Sequence, residues 1–212
     1  MYSFLFYNNI FPLVEKSLIQ KYFSVLVLFL GVGLVINPIY FYTKGNLAQI
    51  LLEKSWQNTK NKNYPQFAWP WADVYPVGKI TFPTLKESHI ILNNTTVEAL
   101  AFGPGLVENT SMPGQSGNIC IAGHRDSFFK NIRNLNADDP IKISGINTEQ
   151  IFKIKQFAIV YPENISWISS QTKGALTLIT CYPFEFTGNA PLRYIIRAEL
   201  IASSDDLDNN SS

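Results

Sequence analysis

Two cysteines and two histidines carry most of the chemistry available to this chain: Cys120, Cys181, His89 and His124. Cys120 and His124 share the stretch NICIAGHRDSFF, residues 118–129, and stand four positions apart. A thiol beside an imidazole is the pairing that cysteine catalysis uses. The thiolate attacks, and the imidazolium returns a proton to the leaving group. Cys181 is the competing nucleophile, 57 positions beyond His124. Spacing decides against Cys120. Its segment is short and apolar, follows a Gly-rich loop and ends at Gly123, so it reads as a strand. Four residues along a strand leave two side chains on one face but about 13 Å apart. Cys120 therefore reads as a small buried hydrophobe.

Cys181 closes ALTLITC, where an apolar strand stops and YPF begins. A strand end facing loops combines a rigid support with an open side, which suits a reactive group. His124 stands just past another strand end, so the two meet if those strands lie close in one sheet. The residues alone leave Cys181 open as nucleophile or structural thiol. Attack on an amide also creates an oxyanion, which needs donors or positive charge. Arg193 lies twelve residues after Cys181, beyond the loop YPFEFTGNAPL and early in the next strand. If the strands pair, it returns to the Cys181 end, where its forked guanidinium suits an oxyanion or a substrate carbonyl. A solvated or ion-paired arginine is the competing reading.

Further candidates are weaker. Asp126 is expected as a helix N-cap, with orientation of His124 as its alternative role. Thr180 falls on the strand face opposite Cys181 and reads as structural or as a backbone contributor. Trp167 is a candidate for a substrate groove, with core packing as its alternative. His89 has no motif around it and reads as a surface or core histidine. The Cys and His residues are not grouped as zinc ligands are, and no acidic cluster resembles a calcium site. No metal or cofactor is expected.

The elements that must position these residues follow from the chain's patterning. A net charge of +1 and the lack of a long basic run exclude a nucleic-acid partner as an expectation. Two cysteines are too few for a disulfide scaffold. Tyr22–Tyr42 holds 21 residues without a charge, between Lys21 and Lys44. As a helix it rises about 31 Å, close to the hydrocarbon thickness of a bilayer. A transmembrane helix is expected over 22–42, after a flank at 1–21. A cleaved signal peptide has a shorter apolar core and a small-residue cleavage site, which this run lacks. The lysine count on the two sides does not favour a cytoplasmic N-terminus.

Residues 43–63 read as a juxtamembrane stalk, helical and then polar. Tyr64–Pro76, with three prolines, reads as an extended strap whose Trp69 and Trp71 pack on a core surface. Strand patterns follow in VGKITF, SHIIL, NICIAG, IKIS, QIFKIKQFAIV, ALTLITC and LRYIIRAELI. TTVEALAFG predicts a short helix capped by Thr95 or Thr96. GPGLVENTSMPGQSG predicts loop throughout. DSFFKNIRNL predicts a helix with Phe128, Ile132 and Leu135 on its apolar side. Short strands with small helices in the connections predict a mostly-β barrel or sandwich over 64–202. The polar tail, 203–212, is expected to be disordered.

GHRD, TLITC and RYII together resemble the His, Cys and Arg of the sortases, membrane-anchored cysteine transpeptidases. WPWADV, LAFGPG, GHRDSFF and TCYPF more specifically resemble the sortases of Gram-negative, mainly proteobacterial, species. The resemblance covers about residues 66–201. It implies a closed, mostly eight-stranded β-barrel with short helices. It implies Cys181 as nucleophile, His124 as general acid and base, and Arg193 on the oxyanion or the substrate. The implied partner is a protein with a C-terminal sorting signal similar to LPXTG, and the amine acceptor is left open. It also implies an inner-membrane anchor with the catalytic domain on the extracytoplasmic, periplasmic side. Two rivals are weighed against this. An L,D-transpeptidase-like acyltransferase would carry a Gly-Cys-Arg signature, which TCYPF lacks. A non-catalytic, membrane-anchored β-domain would leave Cys181 structural.

Overall fold

The structure, a computed structural model, describes residues 7–168 and 174–204, with the side chains of 7–19 and 35–46 outside the description. Two compact units divide the chain, residues 1–47 and 48–212. Helix α1, Tyr7–Lys62, forms the described part of the first unit and enters the second. In the first unit the apolar side chains from Tyr22 to Leu34 are mostly exposed. Among the described residues no helix is long and apolar enough to cross a membrane, and the side chains at 35–42 of the expected span lie outside them.

The second unit is a closed barrel of eight strands: β1 Pro76–Phe82, β2 Glu87–Leu92, β3 Gly105–Leu106, β4 Asn118–Ala122, β5 Pro140–Ser144, β6 Glu149–Val160, β7 Ala175–Tyr182 and β8 Leu192–Ser203. Around the barrel the order is β1-β2-β3-β4-β7-β8-β6-β5. The β2–β3 and β4–β7 pairs are parallel and the others antiparallel. Strand alternation sends one face of each strand inward. Ile119 and Ile121, Leu176 and Leu178, and Ile196 and Ala198 thus fill the interior from three adjacent strands. β3 lies inside the stretch expected to be loop throughout, because Gly105 and Leu106 pair with Ala122 and Ile121 of β4. β8 runs through Ser203, so the expected tail begins inside a strand; residues 205–212 lie outside those described.

The residues read as a free stalk are partly core. Leu52 and Trp56 of α1 are buried against Val74, Ile90, Leu92 and Ala99, on the outside of the barrel. The helix's buried polar groups are satisfied by the strap that follows it. Ser55 donates to the Gln66 carbonyl, and Thr59 accepts from the Gln66 N–H at 3.0 Å. Glu53 pairs with Lys79 of β1 at 3.1 Å. An apolar face and its polar neighbours find their partners only in the folded chain, so the local sequence reads as a linker. Trp69 packs edge-on against Phe102, with centroids 5.3 Å apart, but Trp71 is 80% exposed and is not a packing residue.

The short helix α2, Val97–Leu100, forms as expected, with the Thr96 hydroxyl accepting from Ala99 N–H. The helix expected over DSFFKNIRNL does not form. Residues 125–129 make turns, and a 3-10 helix covers Asn131–Asn134. The buried residues are Phe129, Ile132 and Leu135, spaced by three, which is the period of a 3-10 helix and not of an α-helix. Phe129 lies directly over Gly123, where a Cβ would sit 2.8 Å from its ring. Asp126 therefore caps no helix.

His89 of β2 sits between Phe82 and Phe128, with ring centroids 6.4 and 5.5 Å away. Burial lowers its pKa, and the neighbouring Glu87 charge only partly offsets that. The folded state then binds the proton less readily than the unfolded state. Stability from this group is complete above the unfolded pKa of about 6.5 and falls as pH drops below it. The stability gap between His89→Phe and the wild type should therefore shift in favour of the variant between pH 7 and 5. Urea denaturation at both pH values checks this, and a pH-independent gap contradicts it.

Candidate active site

β7 lies between β4 and β8, and this neighbourhood assembles the site. The parallel β4–β7 ladder pairs Cys120 with Thr177 and Ala122 with Ile179. The same register, continued two residues beyond Ala122, brings His124 alongside Cys181. Two hydrogen bonds carry the alignment past the end of β4. Gly123 N–H donates to the Ile179 carbonyl at 3.1 Å, and the Thr180 hydroxyl donates to the Gly123 carbonyl at 2.7 Å. The antiparallel β7–β8 ladder places Arg193 directly opposite Cys181. Side chains opposed across neighbouring strands have Cβ atoms about 5 Å apart and share a face. Cys181 is thus flanked by the histidine on one side and the arginine on the other.

All three are half-buried and line one cleft of about 280 Å³. Arg125 and Asp126 line it from the β4 exit, and Gly188, Asn189 and Ala190 from the β7–β8 connection. Arg193 Nη1 donates to the carbonyls of Ala190 at 3.1 Å and Leu192 at 2.9 Å. A guanidinium has five N–H donors, so Nε and Nη2 are left for a group in the cleft. Thr180 is buried on the interior side and acts on the Gly123 backbone. Asp126 lines the cleft with an exposed side chain. Among the described residues no group of three or more His, Cys, Asp or Glu side chains is placed to hold a metal ion.

Cys120 faces the same outer side of the sheet, four residues before His124, and is fully buried under the 3-10 turn Ile165–Trp167. Burial pushes its thiol up to about 11, against weaker opposing effects from Thr177 and the Arg197 charge. Trp167 is absent from the residues lining the Cys181 cleft and borders a separate recess with Gln156, Ser166 and Arg197. Its carbonyl accepts from Asn118 Nδ2 at 2.9 Å, Thr177 Oγ1 at 3.3 Å and Arg197 Nη1 at 3.3 Å. That polar cluster has no sequence signature, because its members come from β4, β7 and β8. Arg125 carries a sequence signal in its place directly after His124, but nothing in the motif says what it binds.

A thiol set between an imidazole and a guanidinium, on the rim of a closed β-barrel, is the apparatus of a cysteine acyl-transfer site. Residues 80–201, more than half of the chain, match the Sortase domain family model. The chain belongs to the sortase family. It is 33% identical over 120 residues to Sortase D of Bacillus subtilis, a match covering 56% of this chain and 61% of that protein. The chain thus spans about three fifths of the length of this curated relative. Among solved structures it resembles the Sortase D5 transpeptidase of Clostridium perfringens, at 25% identity and a TM-score of 0.58, over 74% of this chain and 99% of the other. Sortase E from Streptomyces avermitilis matches at 26% identity and a TM-score of 0.53, over 61% and 90%. These relatives are Gram-positive sortases, so the expected kinship with the Gram-negative class is not supported. Of the motifs behind that expectation, GHRDSFF and TCYPF adjoin the Cys181 cleft, whereas WPWADV lies outside the matched residues 80–201.

The two thiols should differ in accessibility. Iodoacetamide at pH 8 is expected to modify Cys181 in the native protein and Cys120 only after unfolding, as read by peptide mass mapping. Equal labelling of both cysteines in the native protein would contradict the burial argument.

Proposed function

We propose that this protein is a cysteine transpeptidase that cleaves a C-terminal sorting signal, similar to LPXTG, from a partner protein. The observation that carries the reading is the register placing Cys181 beside His124 and opposite Arg193. The Cys181 thiolate attacks the scissile carbonyl, forming a C–S bond and moving an electron pair onto oxygen. Arg193 stabilises that oxyanion through donors not committed to Ala190 and Leu192. His124 as imidazolium gives its proton to the leaving nitrogen as the C–N bond breaks, which leaves a thioester on Cys181. An incoming amine attacks the thioester, His124 takes its proton, and the thiolate is expelled. Thr180 serves this chemistry by holding the Gly123 carbonyl, next to His124.

Peptide cleavage tests the assignment with a quenched fluorescent peptide of the LPXTG type. Cys181→Ala should lose at least about 10⁴-fold in kcat, as when a nucleophile is removed. Arg193→Ala should lose about 10²–10³-fold, as for an oxyanion donor. Cys120→Ala should keep most of the activity. Equal losses in the two cysteine variants would sink the mechanism.

We propose further that the chain is anchored in the cytoplasmic membrane through residues 22–42, with the barrel on the extracytoplasmic side. Exposed apolar side chains and the absence of charge over Tyr22–Leu34 support this reading. The full chain should sediment with membranes and resist extraction by high salt, and a chain lacking residues 1–47 should be recovered in the soluble fraction. Recovery of the full chain as soluble protein would remove the anchor.

A further inference from the structure

The β7–β8 connection, Pro183–Pro191, forms one wall of the Cys181 cleft. Its backbone carbonyls are held in an alternating series. Those of Phe186 and Gly188 accept from Arg125 Nη2, the latter at 2.9 Å. Those of Ala190 and Leu192 accept from Arg193 Nη1. Gly188 has φ +93°, a left-handed conformation that side chains disfavour, and this turn lets both of its flanking segments face Arg125. The Arg125 guanidinium also lies 5.9 Å from the centre of the Phe186 ring. A second tether joins the same two segments farther out. Arg133 pairs with Glu185 and lies 5.6 Å from the Phe184 ring centre. Arg133 and Glu185 are exposed, so solvent and salt weaken their attraction. Arg125 is half-buried and lines the cleft itself.

His124 sits on a turn beyond the end of β4, outside the ladder. One side of that turn is fastened to β7 through Gly123 and Thr180. Its other side meets the β7–β8 connection through Arg125 and, farther on, Arg133. We propose that Arg125 is a positioning residue of the transpeptidase site. By bridging the Phe186 and Gly188 carbonyls to the His124 turn, it sets the gap between His124 and Cys181 that the scissile bond and the acceptor amine must enter. It also occupies carbonyl oxygens that would otherwise present negative dipoles to the cleft in which the oxyanion forms. The inference rests on the transpeptidase reading of Cys181 and His124. A displacement of about 1 Å between reacting groups can cost about 10²-fold in rate with little effect on ground-state binding.

The test combines kcat and KM on the sorting-signal peptide with the pH dependence of Cys181 alkylation by iodoacetamide. Arg125→Ala should lower kcat about 10–100-fold with KM changed less than about threefold, and should shift the alkylation profile. Added guanidinium should restore part of the kcat of Arg125→Ala, and Arg133→Ala should stay within about threefold of wild type. If Arg125→Ala does not fold, Arg125→Gln carries the same measurements, because its amide reaches one carbonyl at most and the kcat loss remains. Wild-type kcat and an unshifted alkylation profile in Arg125→Ala or Arg125→Gln overturn the proposal alone. An equal loss in Arg133→Ala, without guanidinium rescue, also overturns it, since general loop tethering then suffices. A wild-type protein that neither cleaves the peptide nor alkylates selectively at Cys181 overturns the transpeptidase reading and the proposal together.

Discussion

Everything at the site depends on β7 being paired on both sides in one register. Its parallel partner β4 delivers the histidine and its antiparallel partner β8 delivers the arginine. A slip of one residue in either ladder would turn Cys181, His124 or Arg193 to the opposite face of the sheet. Core packing prevents the slip. Ile119 and Ile121, Leu176 and Leu178, and Ile196 and Ala198 all point into the barrel, and a one-residue slip of β8 would put Arg197 and Glu199 there in place of Ile196 and Ala198. The interior that stabilises the fold is therefore also what aligns Cys181, His124 and Arg193 on its outside.

The two cysteines show how one sheet gives the same side chain two environments. They lie on the same outer face, Cys120 in mid-strand and Cys181 at a strand end. Over Cys120 the chain crosses back, and Asn118, Thr177 and Arg197 hold the crossing through the Trp167 carbonyl. That thiol is buried and resists ionisation. Over Cys181 the strand ends, and the wall is a connection whose carbonyls are engaged by arginines. Backbone oxygens in such a wall would oppose a developing oxyanion, and cationic partners reverse that effect.

The barrel's outer surface carries a second core. Leu52 and Trp56 of α1 cover Ile90 and Leu92, which project outward from β2 while Ile91 projects inward. This docking brings residues that look like a linker into the folded unit. It also explains the buried Ser55 and Thr59, whose hydroxyls answer the strap at Gln66 and not solvent.

The strands other than β3, the loop between Cys181 and Arg193 and the capped helix at Thr96 were legible in the sequence, because alternation, proline and capping residues are local signals. Strand spacing alone also separated Cys120 from His124. The turn after His124 was not legible. Phe128, Ile132 and Leu135 match an α-helical spacing, yet the barrel takes in Phe129, Ile132 and Leu135, because only Gly123 leaves room for a ring there. The docking of α1, the burial of Trp167's carbonyl and the exposure of Trp71 were equally hidden, since each depends on partners far away in the chain. The sequence by itself determined which residues are chemically capable and that they end strands. Only the tertiary structure decided that β4, β7 and β8 are neighbours, because strand order is set by the packing of one closed interior and not by any local propensity.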